Sequence, residues 1–143
     1  MAKSTMKLGA HMGAGFKTDI KCSSDFVIDQ PVAAGGEGLG PNPMEVFLAS
    51  LPACICAIGR IIARQRRFEL RGIDVDLEAD IDKDYLLGKT QEGRAGFTEI
   101  RTFVNIDADM SVEEKEIFLA EIAKRCPIAD NIMNATLVKP LLK

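Results

Sequence analysis

Two cysteines in this chain have surroundings in which a thiol could carry out redox chemistry. Cys54 lies inside a long apolar segment, and Cys126 is followed directly by Pro127, a residue type favoured at the first position of a helix. One thiol within a buried helix and a second at the start of another helix form the arrangement of a two-cysteine redox centre. The chemistry to consider is the oxidation of one thiol by a peroxide and its repair by the other.

That reaction places three demands on the protein. A thiolate attacks the distal oxygen of a hydroperoxide, becomes a sulfenic acid and releases an alcohol or water, and a second thiol then condenses with it to a disulfide. The first cysteine needs a lowered pKa, its partner must come within about 5.5–6 Å between Cα atoms, and an external reductant must act. Cys126 fits the first demand, because the dipole and free amides of a helix N-terminus favour a thiolate. On the residues alone, inert packing, which is usual for buried cysteines, is the favoured interpretation of Cys54.

Length and charge narrow the class of protein. We expect residues 1–14 of the 143 to form a flexible segment and residues 15–143 to form one domain. The net charge of −3 argues against nucleic-acid binding. No apolar run reaches the roughly 18 uncharged residues of a membrane span, and the first ten residues lack the apolar core of a signal peptide. We therefore expect no membrane contact and a cytoplasmic location.

The cysteine pattern fits neither a disulfide framework nor a metal site. A domain of this size does not need disulfide staples, and cytoplasmic thiols are normally reduced. Cys54 and Cys56 form only a C-x-C pair. Cys22, Cys126 and the single histidine, His11, stand far from that pair in the sequence. We expect no metal and no cofactor, and the lone histidine also argues against a cysteine–histidine or serine–histidine catalytic pair.

The first third of the chain predicts a hairpin and a glycine-rich loop. Residues 15–22 and 26–29 are short candidate strands on either side of a Ser-Ser-Asp turn. Residues 33–41 are rich in glycine but match neither the dinucleotide fingerprint nor the phosphate-binding loop with its lysine. We therefore expect this loop to be a close approach of the backbone over the next helix, with no phosphate bound.

The next helix is well marked at its start. Asn42 is a good N-cap, Pro43 suits the first helical position, and Glu45 completes a capping box. Residues 46–62 are almost all apolar or small, which is typical of a helix buried on every side yet too short to span a membrane. Pro52, two residues before Cys54, should free a backbone carbonyl and kink this helix.

The remaining elements complete an α+β domain. Strict alternation over residues 73–81 predicts a strand with one acidic face, residues 84–96 predict a loop, and residues 97–107 predict a second strand. Ser111 and Glu114 form a second capping box, which opens a helix that ends near Pro127. We expect a short helix over residues 127–133 and a final strand over 136–142. An all-round apolar helix needs a second covering layer, most simply another copy of the chain.

These motifs resemble those of the OsmC/Ohr family of thiol-dependent peroxidases. The proline-initiated apolar helix that reaches Cys54 has that family's spacing, and Cys126-Pro127 matches its second motif. The resemblance implies an OsmC-like fold, an antiparallel sheet with a buried central helix, assembled as an intertwined homodimer. It also implies a stress-response enzyme in which Cys54 is the peroxidatic and Cys126 the resolving cysteine. An organic hydroperoxide would be the substrate and a dithiol the reductant.

Two positions depart from the family pattern. The best-studied members carry a glutamate directly after the helix-starting proline, paired with an early arginine. Here that position is Met44, the acid follows one residue later as Glu45, and no arginine precedes Arg60. Glu45 is thus either a helix cap or a positioning acid, and Lys17 and Lys21 are the early cations, neither of which reproduces bidentate guanidinium pairing. The chain resembles a divergent OsmC-like branch with slower turnover.

The sequence therefore predicts a peroxidase that works through a Cys54–Cys126 disulfide, with Glu45 as a supporting residue. Two alternatives stay open. One is a non-catalytic dimeric module that binds a small hydrophobic ligand, and the other is a thiol-based redox sensor. Peroxide-dependent loss of two thiols separates the binder from the other two, and turnover with a dithiol separates the enzyme from the sensor.

Overall fold

A computed structural model describes residues 2–143 of the protein, which combine helices with antiparallel sheet. The chain divides into two compact units, one ending at Ala49 and the other running from Ser50 to Lys143. Each unit has a sheet of its own, with three strands in the first and two in the second. The α+β class predicted from the sequence is confirmed, while the boundaries of 1–14 and 15–143 stay a prediction.

The sheet of the first unit has the order β1-β2-β3 and is antiparallel throughout. Strands β2 (Thr18–Lys21) and β3 (Phe26–Ile28) form the predicted hairpin, although β2 begins three residues later than expected. Strand β1 (Gly9–Met12) was not predicted and lies in the segment expected to be flexible, of which Met1 is outside the described residues. Its GAHM sequence carries no alternation, so the backbone pairing with β2 defines it.

The glycine-rich loop owes two of its glycines to close backbone contacts. A Cβ atom on Gly36 would lie 2.0 Å from the carbonyl oxygen of Gln30, and one on Gly40 would lie 2.2 Å from that of Val27. No other residue type fits at such distances. The predicted close approach is therefore confirmed, but its partners are Val27 in β3 and Gln30 just after it. The expectation of an approach over the next helix was wrong.

Asp29 holds this loop in place, which the sequence did not reveal. Its side chain is 1% exposed, and its carboxylate accepts backbone N–H bonds from Gln30 (2.7 Å), Leu39 (3.1 Å) and Glu37 (3.2 Å). These donors, with Leu39 foremost, hold the pKa of Asp29 below its usual value. A lowered carboxyl pKa stabilises the fold above the ordinary pKa of aspartate, and that contribution is lost as the pH falls through the lowered value.

Helix α1 (Pro43–Arg66) starts as predicted. The Asn42 N–H donates to Glu45 Oε2 (2.8 Å), and the Glu45 N–H donates to Asn42 Oδ1 (2.9 Å), which completes the capping box. The helix has 24 residues, so the expectation that it is too short for a membrane was wrong. By length and composition it would suffice to cross a bilayer, a criterion that core helices also meet.

Within the second unit, α1 buries a single stripe. Its buried residues recur at intervals of three or four, which defines one helical face: Leu51, Ile55, Gly59, Ile62 and Ala63. Ile61, outside the stripe, stays 43% exposed. The sequence predicted burial on every side of α1. In the single chain, one side of the helix is buried.

The sheet of the second unit is a long hairpin of β4 (Leu70–Ile81) and β5 (Phe97–Ala108). Its apolar face pairs like residues across the strands, with Val75 opposite Val104. The other face carries the predicted acids, and Arg101 binds Asp80 (2.7 Å) among them. The connection was predicted as a loop, and it contains one short helix, α2 (Lys83–Leu86).

Helices α3 (Val112–Arg125) and α4 (Pro127–Met133) follow directly after one another. Ser111 and Glu114 form the predicted capping box of α3. Phe118 and Ile122 from α3 join the core, where a Cβ on Gly59 would lie only 3.2 Å from Ile122 Cδ1. Glycine at this position therefore lets α1 pack closely.

The final strand expected over residues 136–142 was wrong. This segment has no regular secondary structure and pairs with no strand within residues 2–143. Its apolar side chains are more than three-quarters exposed: Leu137, Val138, Leu141 and Leu142. Strand formation needs a partner edge, and local β-propensity did not supply one.

Candidate active site

The second unit brings together the two cysteines that the sequence singled out. Cys54 lies in α1, and Cys126 occupies the single residue between α3 and α4. Their Sγ atoms are 2.8 Å apart, and both thiols are free. The prediction that the pair lies within disulfide reach is confirmed, because a disulfide of about 2.05 Å requires less than 1 Å of further approach.

The first turn of α4 directs two backbone donors at this pair. Pro127 occupies the first helical position and has no N–H, so the first available amides are those of the next two residues. The Ala129 N–H donates to Cys126 Sγ (3.4 Å), and the Ile128 N–H donates to Cys54 Sγ. The sequence predicted free amides at Cys126. It did not predict the amide at Cys54, which depends on how α1 packs against α4.

The environment of Cys54 disfavours the thiolate form in the single chain. Burial raises the pKa of Cys54, and the hydrogen bond with Cys126 raises it further, whereas the Ile128 N–H lowers it. The net direction is upward because desolvation penalises the charged thiolate. In the single chain, the demand for a lowered pKa at the attacking cysteine is therefore not met at Cys54.

The two cysteines differ in their access to solvent. Cys126 is 1% exposed and belongs to the buried core with Leu51 and Ile55, while Cys54 is half-buried. Ile128 and other partly buried apolar residues of α4 pack against the same core. A reagent that enters from solvent therefore reaches Cys54 before Cys126. The surroundings of Cys54 at that point are apolar.

The other two cysteines have partners elsewhere. The Cys56 thiol donates to the carbonyl oxygen of Ile73 on β4 (3.6 Å), as expected for a residue on another face of α1. In the first unit, the Cys22 thiol donates to the carbonyl oxygen of Ser24 in the β2–β3 turn (3.2 Å). Both therefore have local structural partners.

Glu45 and the early lysines make their contacts within the first unit. Both hydrogen bonds described for the Glu45 carboxylate and amide belong to the helix cap at Asn42. Lys17 pairs with Asp19 (3.3 Å), and Lys21 pairs with Asp25 (2.8 Å). A part for these three residues in the chemistry of Cys54 stays a prediction.

Comparison with known proteins adds a family match. The family model described as "OsmC-like protein" matches residues 35–140, a range that contains both thiols. A protein of Mycoplasma genitalium named hydroperoxide reductase is 28% identical over 114 residues, which cover 80% of this chain and 77% of that protein.

Solved structures give the same fold. An OsmC-like protein from Mycoplasma pneumoniae aligns with a TM-score of 0.79 at 17% identity, over 94% of this chain and 91% of that one. An organic hydroperoxide resistance protein from Legionella pneumophila aligns with a TM-score of 0.66 at 23% identity, over 92% and 91% of the two chains. At these identities, the likeness establishes the fold alone.

Proposed function

Since the chain belongs to the OsmC family, we propose that it is a thiol-dependent peroxidase that reduces organic hydroperoxides through a Cys54–Cys126 redox pair. The observation that carries this proposal is the 2.8 Å separation of two free thiols from distant parts of the chain. Buried cysteines that only fill space have no need of a second sulfur at that distance.

The reaction follows from the two positions. The Cys54 thiolate attacks the terminal oxygen of the hydroperoxide, the O–O bond breaks, and the alkoxide leaves as the alcohol after taking up a proton. Cys126 then attacks the sulfur of the Cys54 sulfenic acid, releases water and forms the disulfide. A dithiol returns two electrons and two protons and restores both thiols.

Apolar surroundings favour an organic substrate over hydrogen peroxide. Leu51, Ile55 and Ile128 belong to or pack on the core that contains both thiols. An alkyl or aryl group gains free energy by leaving water for such a site, a gain that hydrogen peroxide lacks.

The test is a thiol count combined with a turnover assay. On addition of cumene hydroperoxide we expect two of the four thiols to be lost, and with a dithiol present we expect repeated turnover that is faster than with hydrogen peroxide. Thiol loss without turnover would indicate a redox sensor. No thiol loss at all would leave the ligand-binding module.

The same proposal includes a homodimer, because α1 and the C-terminal segment leave apolar surface uncovered. Ile61 on α1 is 43% exposed, and Leu142 is fully exposed. Apolar patches of this kind commonly mark interfaces between chains. In sedimentation at micromolar concentration we expect a species of about twice the chain mass of 15.6 kDa. A stable monomer at that concentration would contradict the dimer while leaving the chemistry of the thiol pair untouched.

A further inference from the structure

Exposed cations occupy two helix ends, one of them directly before Cys126 in the sequence, in a protein whose net charge is −3. They lie in the last turn of α1, directly after it and in the last turn of α3, and all are solvent-exposed. We call them the basic surface: Arg64, Arg66, Arg67, Lys124 and Arg125. These are five of the 18 lysines and arginines in the chain.

Side-chain contacts hold the two helix ends of the basic surface together. Arg125 donates to Gln65 Oε1 (2.9 Å) at the end of α1 and pairs with Glu121 (3.3 Å) on α3. Arg66 also pairs with Glu121, so this one acid is shared between two guanidinium groups. A groove of about 580 Å³ beside them is lined in part by Lys124.

The rest of the basic surface has no acidic partner. Within residues 2–143, Arg64, Arg67 and Lys124 form no ion pair. Cations at helix C-termini are favoured by the helix dipole, which explains why they stand there. The dipole leaves their outward-facing charge uncompensated, so the surface attracts anions from solution.

We propose that the basic surface docks an acidic protein that carries the dithiol reductant of the Cys54–Cys126 disulfide. This proposal rests on the function proposed above. Arg125 is the chain neighbour of Cys126, and Gln65 lies 11 residues after Cys54 on α1, about 16 Å away at 1.5 Å per residue. A small dithiol that reaches the sulfur cannot also contact charges at that distance. A protein can, because even a modest interface covers about 800 Å² on each partner.

The docked partner performs a thiol–disulfide exchange. Its first thiolate attacks the half-buried Cys54 sulfur, forms a mixed disulfide and releases Cys126 as a thiolate, which takes up a proton. The partner's second thiolate then attacks the partner's first sulfur in the mixed disulfide and releases Cys54 as a thiolate, which takes up a proton. The protein gains two electrons, and the partner leaves as a disulfide.

The test uses synthetic dithiol peptides as the probe. One has a Cys-Gly-Pro-Cys centre with flanking glutamates, and its match has glutamine in place of every glutamate. The protein is first oxidised with diamide, and the rate constant of its reduction is measured with each peptide and with dithiothreitol. At about 0.02 M ionic strength we expect the glutamate peptide to react at least about tenfold faster than the glutamine peptide, and we expect that advantage to vanish near 0.5 M.

A matched pair of variants locates the effect. In Arg64→Glu/Lys124→Glu we expect the two peptides to react within about twofold of each other, because the steering charge is reversed. In Lys83→Glu/Lys89→Glu, which makes the same change of net charge at exposed positions between β4 and β5, the tenfold advantage should persist. Dithiothreitol should reduce all three proteins equally.

Equal rates for the two peptides with the unmodified protein would overturn the proposal. It would also be overturned if both variants lost the rate advantage of the glutamate peptide to the same extent. Failure of diamide to form the Cys54–Cys126 disulfide would overturn it together with the proposed redox pair. Diamide oxidises thiols without any peroxide, so the docking result does not depend on hydroperoxide turnover. A protein that shows the charge effect but consumes no hydroperoxide would therefore count against the peroxidase alone.

Discussion

Replacement of Cys54 by serine is expected to reduce thiol-driven consumption of cumene hydroperoxide to the rate of buffer alone. The hydroxyl of serine is a far weaker nucleophile than a thiolate at neutral pH, and it cannot form a sulfenic acid. Cys126 cannot take over the reaction, because it is 1% exposed and belongs to the core. The measurement is hydroperoxide loss over time with a dithiol in excess.

Replacement of Cys126 by serine should impair the reaction in a different way. With Cys126→Ser, Cys54 still reacts once, but no thiol stands 2.8 Å away to condense with the sulfenic acid. We expect one equivalent of hydroperoxide to be consumed in a burst, followed by the slower consumption of a second equivalent as Cys54 is over-oxidised to the sulfinic acid. Mass spectrometry of the Cys54 peptide should show two added oxygen atoms in this variant and none in the unmodified protein after dithiol treatment.

Cys22→Ser and Cys56→Ser are the matched controls, because their thiols bind the carbonyl oxygens of Ser24 and Ile73. Both should keep the turnover of the unmodified protein. Full activity in Cys54→Ser, or no hydroperoxide consumption by the unmodified protein with any dithiol, would defeat the peroxidase proposal. If hydroperoxide also causes no loss of thiols, the dimeric module that binds a hydrophobic ligand would take its place.

Local motifs in the sequence were enough to predict where the helices that position the thiol pair begin. Asn42, Pro43 and Glu45 fix the start of α1, and Ser111 with Glu114 fixes that of α3. Each signal acts within four residues, so it survives any tertiary arrangement. The resemblance to the OsmC/Ohr family then supplied the contact between two distant cysteines, which no local pattern encodes.

The features that the sequence did not reveal all depend on contacts across the chain. In the sequence, Asp29 was only the last residue of a candidate strand, and the fold shows three backbone amides converging on it. Strand β1 is defined by its pairing with β2, and the apolar segment 136–142 lacks a partner edge despite its composition. The Ile128 amide meets Cys54 only because α4 packs beside α1. Local secondary-structure propensity predicts little where tertiary packing decides which structure forms.

The reactivity of Cys54 is expected to depend steeply on pH. Burial and then the hydrogen bond with Cys126 raise the pKa of this thiol, so at neutral pH it is largely protonated. Peroxides react with the thiolate, and below a thiol's pKa each unit of pH multiplies the thiolate fraction about tenfold. We therefore expect the rate constant of single-turnover oxidation to rise by about two orders of magnitude or more between about pH 6 and pH 9. Stopped-flow oxidation by cumene hydroperoxide in a Cys22→Ser/Cys56→Ser background measures it without interfering thiols.

The variant Cys126→Ala separates the two causes of the raised pKa. It removes the hydrogen bond with Cys126 that raises the pKa of Cys54 but leaves the burial, which is the larger cause, so the profile should move to lower pH without becoming flat. A rate constant that is flat from about pH 6 to pH 9 in the unmodified protein would mean that Cys54 is already a thiolate. Groups outside the single chain would then have to offset the rise in the pKa of Cys54 that burial causes. In the proposed homodimer, these groups would come from the second copy. A steep profile instead fits a site without the family's arginine, where the Ile128 amide lowers the pKa of Cys54 and burial outweighs it.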